Sequence, residues 1–429
     1  MRIDTKHRSA TRRLLLALSG AAGLAFTCVS AADELPVGTV IDAANFDAIA
    51  ASTFEGHTIR EMVPPSVEIL IKKYNLKLTL ASSDDRILSV NEKFWQTSKK
   101  NAETINFDPA TRQISGYVGG IPFPDISIDD PHAGDKELYN LFWNFTYFGG
   151  AARGDFPFLY IDGKKGVERT NLWHQTVLNL SGRATEPHNL PLGEKFGIQK
   201  RDALFALEPR DIKGTGTFTQ RYTDGRPDDA WVYIRSIRRV RRVSGGSWAD
   251  AIGGSDVHLD DINGFNAHPT WFKSARLVER KWILHWNFDK PQQNKAGKTL
   301  DERFPYLDLT NPPYWNAIQD WRPTRVNVVE IIPEASHPFY SNKILYTMAD
   351  FPGTPAVLEA YDKKGELWKV ETISRGTATD ESGDVWFAGF CSYMYDLQQE
   401  HATLLVGDEF KVDNRIREDD VTKDILLVQ

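Results

Sequence analysis

Five arginines fall within eight residues, Arg235, Arg238, Arg239, Arg241 and Arg242. A bare run of guanidinium groups at that density is a phosphate-binding patch. However, Asp250, Asp256, Asp260 and Asp261 follow within twenty residues, and Arg–Asp pairs across a hairpin or its loop would neutralise the run through bidentate hydrogen bonds. Structural pairing is the reading the sequence favours. Arg239, Arg241, Asp256 and Asp260 are then expected to hold that loop in place, so that Arg241→Ala costs stability more than it alters ligand choice.

Other groupings carry less chemistry. Asp129-Asp130 and Asp260-Asp261 could supply a carboxylate pair for glycoside hydrolysis, but turn and ion-pair roles fit them better. Beyond His7 the nine histidines are scattered singly, with no pair at metal-ligand spacing, so no metal site is expected. There is no Gly-x-Ser-x-Gly elbow, no Walker loop and no His-Glu-x-x-His motif. No cofactor is implied, and the chain is not read as an enzyme. Five of the twelve tryptophans, Trp271, Trp282, Trp286, Trp315 and Trp321, lie within one 51-residue span, where flat rings can fill a core or line a cavity.

The elements that must position these residues are mostly strands. From Phe158 onward the hydrophobic period is two, and eleven runs read as strands: 158–161, 172–180, 203–207, 216–222, 230–237, 275–286, 326–332, 343–348, 356–361, 367–373 and 385–393. Asp362-Lys363-Lys364-Gly365 is a hairpin turn. Without βαβ alternation, the runs imply one large antiparallel sheet, which curls to protect its edges. Two helices are expected. One starts at Pro64-Pro65 and buries Val67, Leu70, Ile71 and Tyr74. The other, from Lys136 to Phe148, has Asp135 as its N-cap and a stripe of Leu138, Leu141, Phe142, Phe145 and Phe148. Asp289 to Asn316 reads as a long loop.

The N-terminus addresses the chain. Arg2, Lys6, Arg8, Arg12 and Arg13 precede an apolar run from Leu14 to Phe26 and small residues up to Ala32, the order of a secretory signal cleaved after Ala31 or Ala32. The run is shorter than the roughly 20 residues of a membrane span, and no transmembrane span is expected. The organisation read here is a signal peptide at 1–31, a partly helical region at 32–115, and a β region at 116–429 with the preceding region packed on it. Losing 1–31 removes four net positive charges and takes the chain from −7 to −11, which disfavours nucleic acid as a partner. Cys28 leaves with the signal, so Cys391 is alone, no intramolecular disulfide can form, and Cys391 is expected to be a small buried hydrophobe.

Trp231-Val232-Tyr233 leading into Arg238-Arg239-Val240-Arg241-Arg242, then Gly254-Ser255-Asp256 and Asp260-Asp261, resembles a family of exported bacterial proteins of unassigned function, outer-membrane lipoprotein-sorting-like and related in fold to LolA and LolB. Gly120-Ile121-Pro122-Phe123-Pro124, Trp143-Asn144 and the hairpin from Tyr361 to Lys369 agree in order and spacing, so the resemblance covers about 116 to 395. It implies a mainly β, α+β fold: a strongly curved antiparallel sheet or half-barrel, with helices plugging its concave face around an apolar cavity. It also implies a periplasmic shuttle for a lipid, lipoprotein acyl chain, sterol or hydrocarbon, working with an inner-membrane transporter of the resistance-nodulation-division type and an outer-membrane protein. On that reading Trp231, Tyr233, Phe142, Phe145 and Trp282 border the cavity. The rival readings are a periplasmic hydrolase for a lipid or glycan, recognisable by convergent acidic or His residues with perturbed pKa values, and a scaffold with a filled interior.

Overall fold

The computed structural model describes residues 33–427 except 86–87, 90, 145–148, 236–237, 244–250 and 409. The expected signal peptide, Cys28, Phe145 and Phe148 lie outside the described residues. Among the described residues, no helix is long and apolar enough to cross a membrane.

Among the described residues the main sheet has sixteen strands, thirteen of them five residues or longer: β1 Ala151–Asp162, β2 Gly166–Asn179, β3 Ile198–Glu208, β4 Gly216–Tyr222, β5 Asp229–Ile234, β6 Arg239–Val243, β7 Phe272–His285, β8 Asp320–Pro333, β9 Tyr340–Met348, β10 Pro355–Asp362, β11 Leu367–Thr379, β12 Val385–Asp396 and β13 His401–Gly407. Their spatial order runs from β7 through β13, then from β1 through β6. Every neighbour is antiparallel, mostly through hairpins, and the late strand β13 pairs centrally with β1, Ala402 opposite Ile161. The sheet is open, with β6 and β7 as its edges, rather than closed into a barrel. A short strand at Leu78–Leu80 adds the one parallel pairing, to Asp320 and Trp321. The expectation of a mainly β protein with a large antiparallel sheet and few helices is met.

The middle of the sheet is buried on both faces. In β12 every residue from Trp386 to Asp396 is buried, so alternation vanishes and the strand reads as one apolar run. On one face lie Ile331, Leu345 and Leu358. They are covered by Leu138 and Leu141 of a helix at Ala133–Phe142 and by Phe265 and Phe272. On the other lie Tyr346, Val357, Val370, Tyr395 and Leu404, covered by Trp315 and by Met62, Val67, Leu70, Ile71 and Tyr74 of the N-terminal region.

Three helices of ten or more residues are described: α1 Pro65–Tyr74, α2 Glu92–Thr104 and α3 Ala133–Phe142. α1 begins on Pro65 and ends at Asn75, which takes the left-handed conformation at φ 57°. Its expected apolar stripe is buried, each large side chain contributing on the order of 2 kcal/mol. α3 starts earlier than expected: His132 occupies the cap, and Asp135 lies in the first turn, where its carboxylate pairs with Arg112. α2 has no apolar stripe for a sequence reading to find. It packs through Asn101, whose amide donates to Gly119 O and Ile121 O at 2.8 Å, and through Thr97, which donates to Ala184 O.

Candidate functional site

Ahead of β7, residues 251–271 cross the α3 side of the sheet and meet a buried row of charges. Register puts Lys343, Ala360, Lys369, Asp396 and His401 in one row across β9 to β13, and Leu345, Leu358, Glu371, Met394 and Thr403 in the next. Residues in register share a face, so the crossing segment meets both rows. Lys343 Nζ donates to Asp260 Oδ2 at 2.7 Å and to Asp261 Oδ1 at 2.5 Å. Tyr340 donates its hydroxyl to Asp261 Oδ2 at 2.5 Å, with His258 Nδ1 at 2.9 Å, and His337 Nε2 lies 3.3 Å from Asp260 Oδ2. Asp256 Oδ2 accepts from Thr403 Oγ1 and contacts His401 Nδ1, both at 2.7 Å, while Lys369 donates to the Asp256 carbonyl. Glu371 accepts from Ser392 Oγ at 2.5 Å and from the Gly264 amide at 3.2 Å. Gly264 itself sits at φ 76°, where an added Cβ would come within 2.9 Å of Pro355.

Asp260, Asp261, Lys343 and Glu371 have no exposed surface, so each proton position is set by burial against local charge. Burial pushes the Asp260 carboxyl up, but the Lys343 ammonium and the His337 ring together more than offset this and hold it well below 3.8. Burial disfavours the Lys343 ammonium, but Asp260 and Asp261 raise it above 10.5. Burial lowers His258 to about 4 and lifts Glu371 to about 8. His401 is raised by its bond to Asp256.

Ligand atoms of His258, Asp260 and Asp261 lie within 4.8 Å of one another, a spacing that could hold a metal ion. Lys343 already bridges the two carboxylates as the cation. The convergent acidic and His residues that would mark a hydrolase are thus present, but they are sealed beneath the segment they fasten. Their chemistry is that of a clasp, in keeping with the ion-pair role expected for Asp260-Asp261.

The residues singled out from sequence do not all converge. Asp256 and Asp260 hold the crossing segment, but through Lys343, His337, His401 and Thr403. Arg239 and Arg241, expected as their companions, lie instead on the edge strand β6, exposed, opposite Ile234 and Val232. Among the described residues neither forms an ion pair, and of the five clustered arginines only Arg242 does, with Asp229. Charged side chains on an edge strand block pairing with other chains, which accounts for an arginine run without carboxylate partners.

Trp231 and Tyr233 share one face of β5, half-buried against a cluster containing Leu178, Phe218, Val421 and Leu426. Phe142 is buried in another cluster with Phe123, Tyr139 and Trp143. Trp282 stacks on His57 at 4.7 Å and lines a cavity of about 160 Å³ with His285, Asn287, Arg322 and Phe351. Of the four described positions, the structure brings only Trp231 and Tyr233 together.

Sequence reasoning missed a groove beside that pair. Two adjoining depressions of about 620 and 610 Å³ share Tyr222 and Arg226. Asp229 and Arg242 line one; Leu192, Lys195, Phe196 and Arg201 line the other. Arg226 stacks over the Tyr222 ring at 3.7 Å, and Tyr222 donates to Asp229 Oδ2 at 2.8 Å. Register puts Trp231 opposite Phe218 and Arg242, so the aromatic pair and the groove lie on the same face. Phe196, 48% exposed, was the available sequence signal, a large apolar residue among Lys195, Arg201 and Arg226.

The chain matches a protein family of unknown function, DUF1329, over residues 40–423. This accords with the resemblance to an exported family of unassigned function. No curated protein matches the chain. Among solved structures it is similar to a domain from Vibrio parahaemolyticus named for outer-membrane lipoprotein sorting, at 18% identity and TM-score 0.44, covering 65% of this chain and 91% of that one. It is similar to a DUF1329 family protein from Desulfovibrio piger at 15% identity and TM-score 0.45, covering 66% and 94%. A LolA superfamily protein from Nitrosomonas europaea matches at 14% identity and TM-score 0.37, covering 65% and 92%.

Proposed function

The chain belongs to the DUF1329 family, whose function is unknown, and we propose from its own geometry that it is an exported, periplasmic binding protein for a hydrophobic molecule with an acidic head. The observation that carries this reading is the groove along β4 to β6, where half-buried Trp231 and Tyr233 adjoin a rim holding Lys195, Arg201, Arg226 and Arg242. Its two halves are within the roughly 300–1,000 Å³ typical of small-molecule sites. An apolar chain pays about 0.8 kcal/mol for each CH₂ left in water, so a groove lined by Leu192, Phe196 and Tyr222 with guanidinium groups beside them, and with Trp231 and Tyr233 adjoining on the same face, suits a lipid or acyl chain carrying a carboxylate or phosphate. Such a protein acts as a carrier and needs no catalytic group. It would receive its cargo from a resistance-nodulation-division type transporter in the inner membrane and deliver it to an outer-membrane partner.

The test is titration of the protein with a fluorescent fatty acid. Saturable uptake is expected, with Trp231→Ala/Tyr233→Ala weakening it about tenfold to a hundredfold, the worth of roughly 1.4–3 kcal/mol of aromatic contact. Absence of uptake, or uptake indifferent to the double substitution, would remove the groove from consideration.

A further inference from the structure

Of the five clustered arginines, Arg235, Arg238, Arg239 and Arg241 take no part in the clasp or in the groove lining. Arg235 Nη1 donates to the carbonyl oxygens of both Arg210 and Lys213 at 3.2 Å. That ties the β4–β5–β6 end of the sheet to the neighbouring turn at 209–214. Arg210, Lys213, Arg235, Arg238, Arg239 and Arg241 are all exposed, and none forms an ion pair among the described residues. Glu208 and Asp211 stand exposed on the same turn, leaving a cationic excess of four on a chain of net charge −7.

We propose that this tip of the sheet, bearing Arg210, Lys213, Arg235, Arg238, Arg239 and Arg241, docks on an anionic lipid surface. Three features select a bilayer over an acidic polypeptide. The cations stand at turns and on an edge strand at one end of the sheet, an arrangement suited to meeting a plane. Ile234, 38% exposed, sits among them, and an apolar side chain flanked by cations suits the boundary between headgroups and acyl chains. Five of the six cations are arginines, whose planar forks match phosphate oxygens. The chain as a whole is net negative, so this cationic tip is favoured over the average surface as the side that faces an anionic bilayer. The docking stands whether or not the groove carries a cargo.

The experiment is co-sedimentation of the protein with vesicles of phosphatidylglycerol and phosphatidylethanolamine, against vesicles of phosphatidylcholine alone. Binding is expected to the anionic vesicles at 50 mM NaCl, falling steeply toward 500 mM as the surface charge is screened. With each cation near the surface worth about fivefold, Arg239→Glu/Arg241→Glu should cut binding at least tenfold while fatty-acid uptake by the groove stays as it was. Arg239→Lys/Arg241→Lys should retain binding within about threefold, and Arg210→Glu/Lys213→Glu repeats the test should the first reversal fail to fold. No binding by the unaltered protein at 50 mM NaCl overturns the proposal. So does binding indifferent to both reversals, or patch-dependent binding to polyglutamate without binding to vesicles, which would make the partner an acidic polypeptide.

Discussion

Replacing Lys343 with Met removes the cation that bridges Asp260 and Asp261 and leaves both carboxylates buried without it. Stripping one partner from a buried ion pair costs about 3–5 kcal/mol. Unfolding entropy of about 2.1 cal/mol/K per residue over roughly 390 residues gives about 0.8 kcal/mol/K. The melting temperature at pH 7 should therefore fall by about 4–6 °C if unfolding is two-state. The pH dependence follows from the directions of the shifts. In the unaltered protein the Asp260 contribution is present above its ordinary 3.8 and is lost as pH falls below that value. The Lys343 contribution is present below 10.5 and is lost as pH rises beyond it, so the clasp is at full strength between about pH 5 and 9. In Lys343→Met the uncompensated carboxylates take up protons on folding, so the deficit should be small near pH 4 and widen toward pH 7. Adding Asp260→Asn and Asp261→Asn should restore part of the loss, since replacing a whole buried ionic group costs less than breaking it. Thermal melts followed by circular dichroism at pH 4, 5.5 and 7 decide the matter. A variant melting within 1 °C of the parent at pH 7, or a deficit independent of pH, would refute the charge argument.

Glu371, raised by burial from 4.5 to about 8, contributes stability that is complete below pH 4.5 and drains away as pH climbs toward 8. Glu371→Gln keeps the shape without the ionisation, so its stability relative to the parent should rise between pH 5 and pH 8, by on the order of 3 kcal/mol; parallel curves of melting temperature against pH for the two proteins would contradict this. Arg241 is exposed on an edge strand, so Arg241→Ala should change stability by about 0.5 kcal/mol or less, contrary to what its place in the arginine–aspartate run suggests. Denaturant midpoints of the two proteins measure the difference.

Most of the sheet was legible because hairpin-linked strands announce themselves through a period of two and through turns such as Asp362–Gly365, closed by the Asp362 amide on Glu366 O. β6 was hidden by its arginines, which read as a charge cluster although they occupy an edge. β13 was missed just after a turn, its run from His401 to Gly407 being short. α2 carried no apolar stripe, since its buried contacts include Thr97, Ser98 and Asn101. Cys391 is free and buried as its β-strand surroundings implied. The clasp was half-legible. Asp256, Asp260 and Asp261 stood out as a cluster, but Lys343, Lys369 and Glu371 look like the solvent-facing positions of alternating strands. Only pairing across β9 to β13 brings them under the same segment, and local sequence does not encode that register. The groove depends in the same way on strands β3 to β6 meeting a short helix at Pro191–Phe196.

The most direct measurement is native mass spectrometry of the protein purified from its own host, with organic extraction and lipid analysis of whatever accompanies it. Binding of a hydrophobic cargo predicts a co-purifying lipid, sterol or other apolar molecule near one-to-one, displaced when Trp231 and Tyr233 are replaced by alanine. Protein that arrives without any such molecule, and that takes up no apolar probe afterwards, would contradict the account.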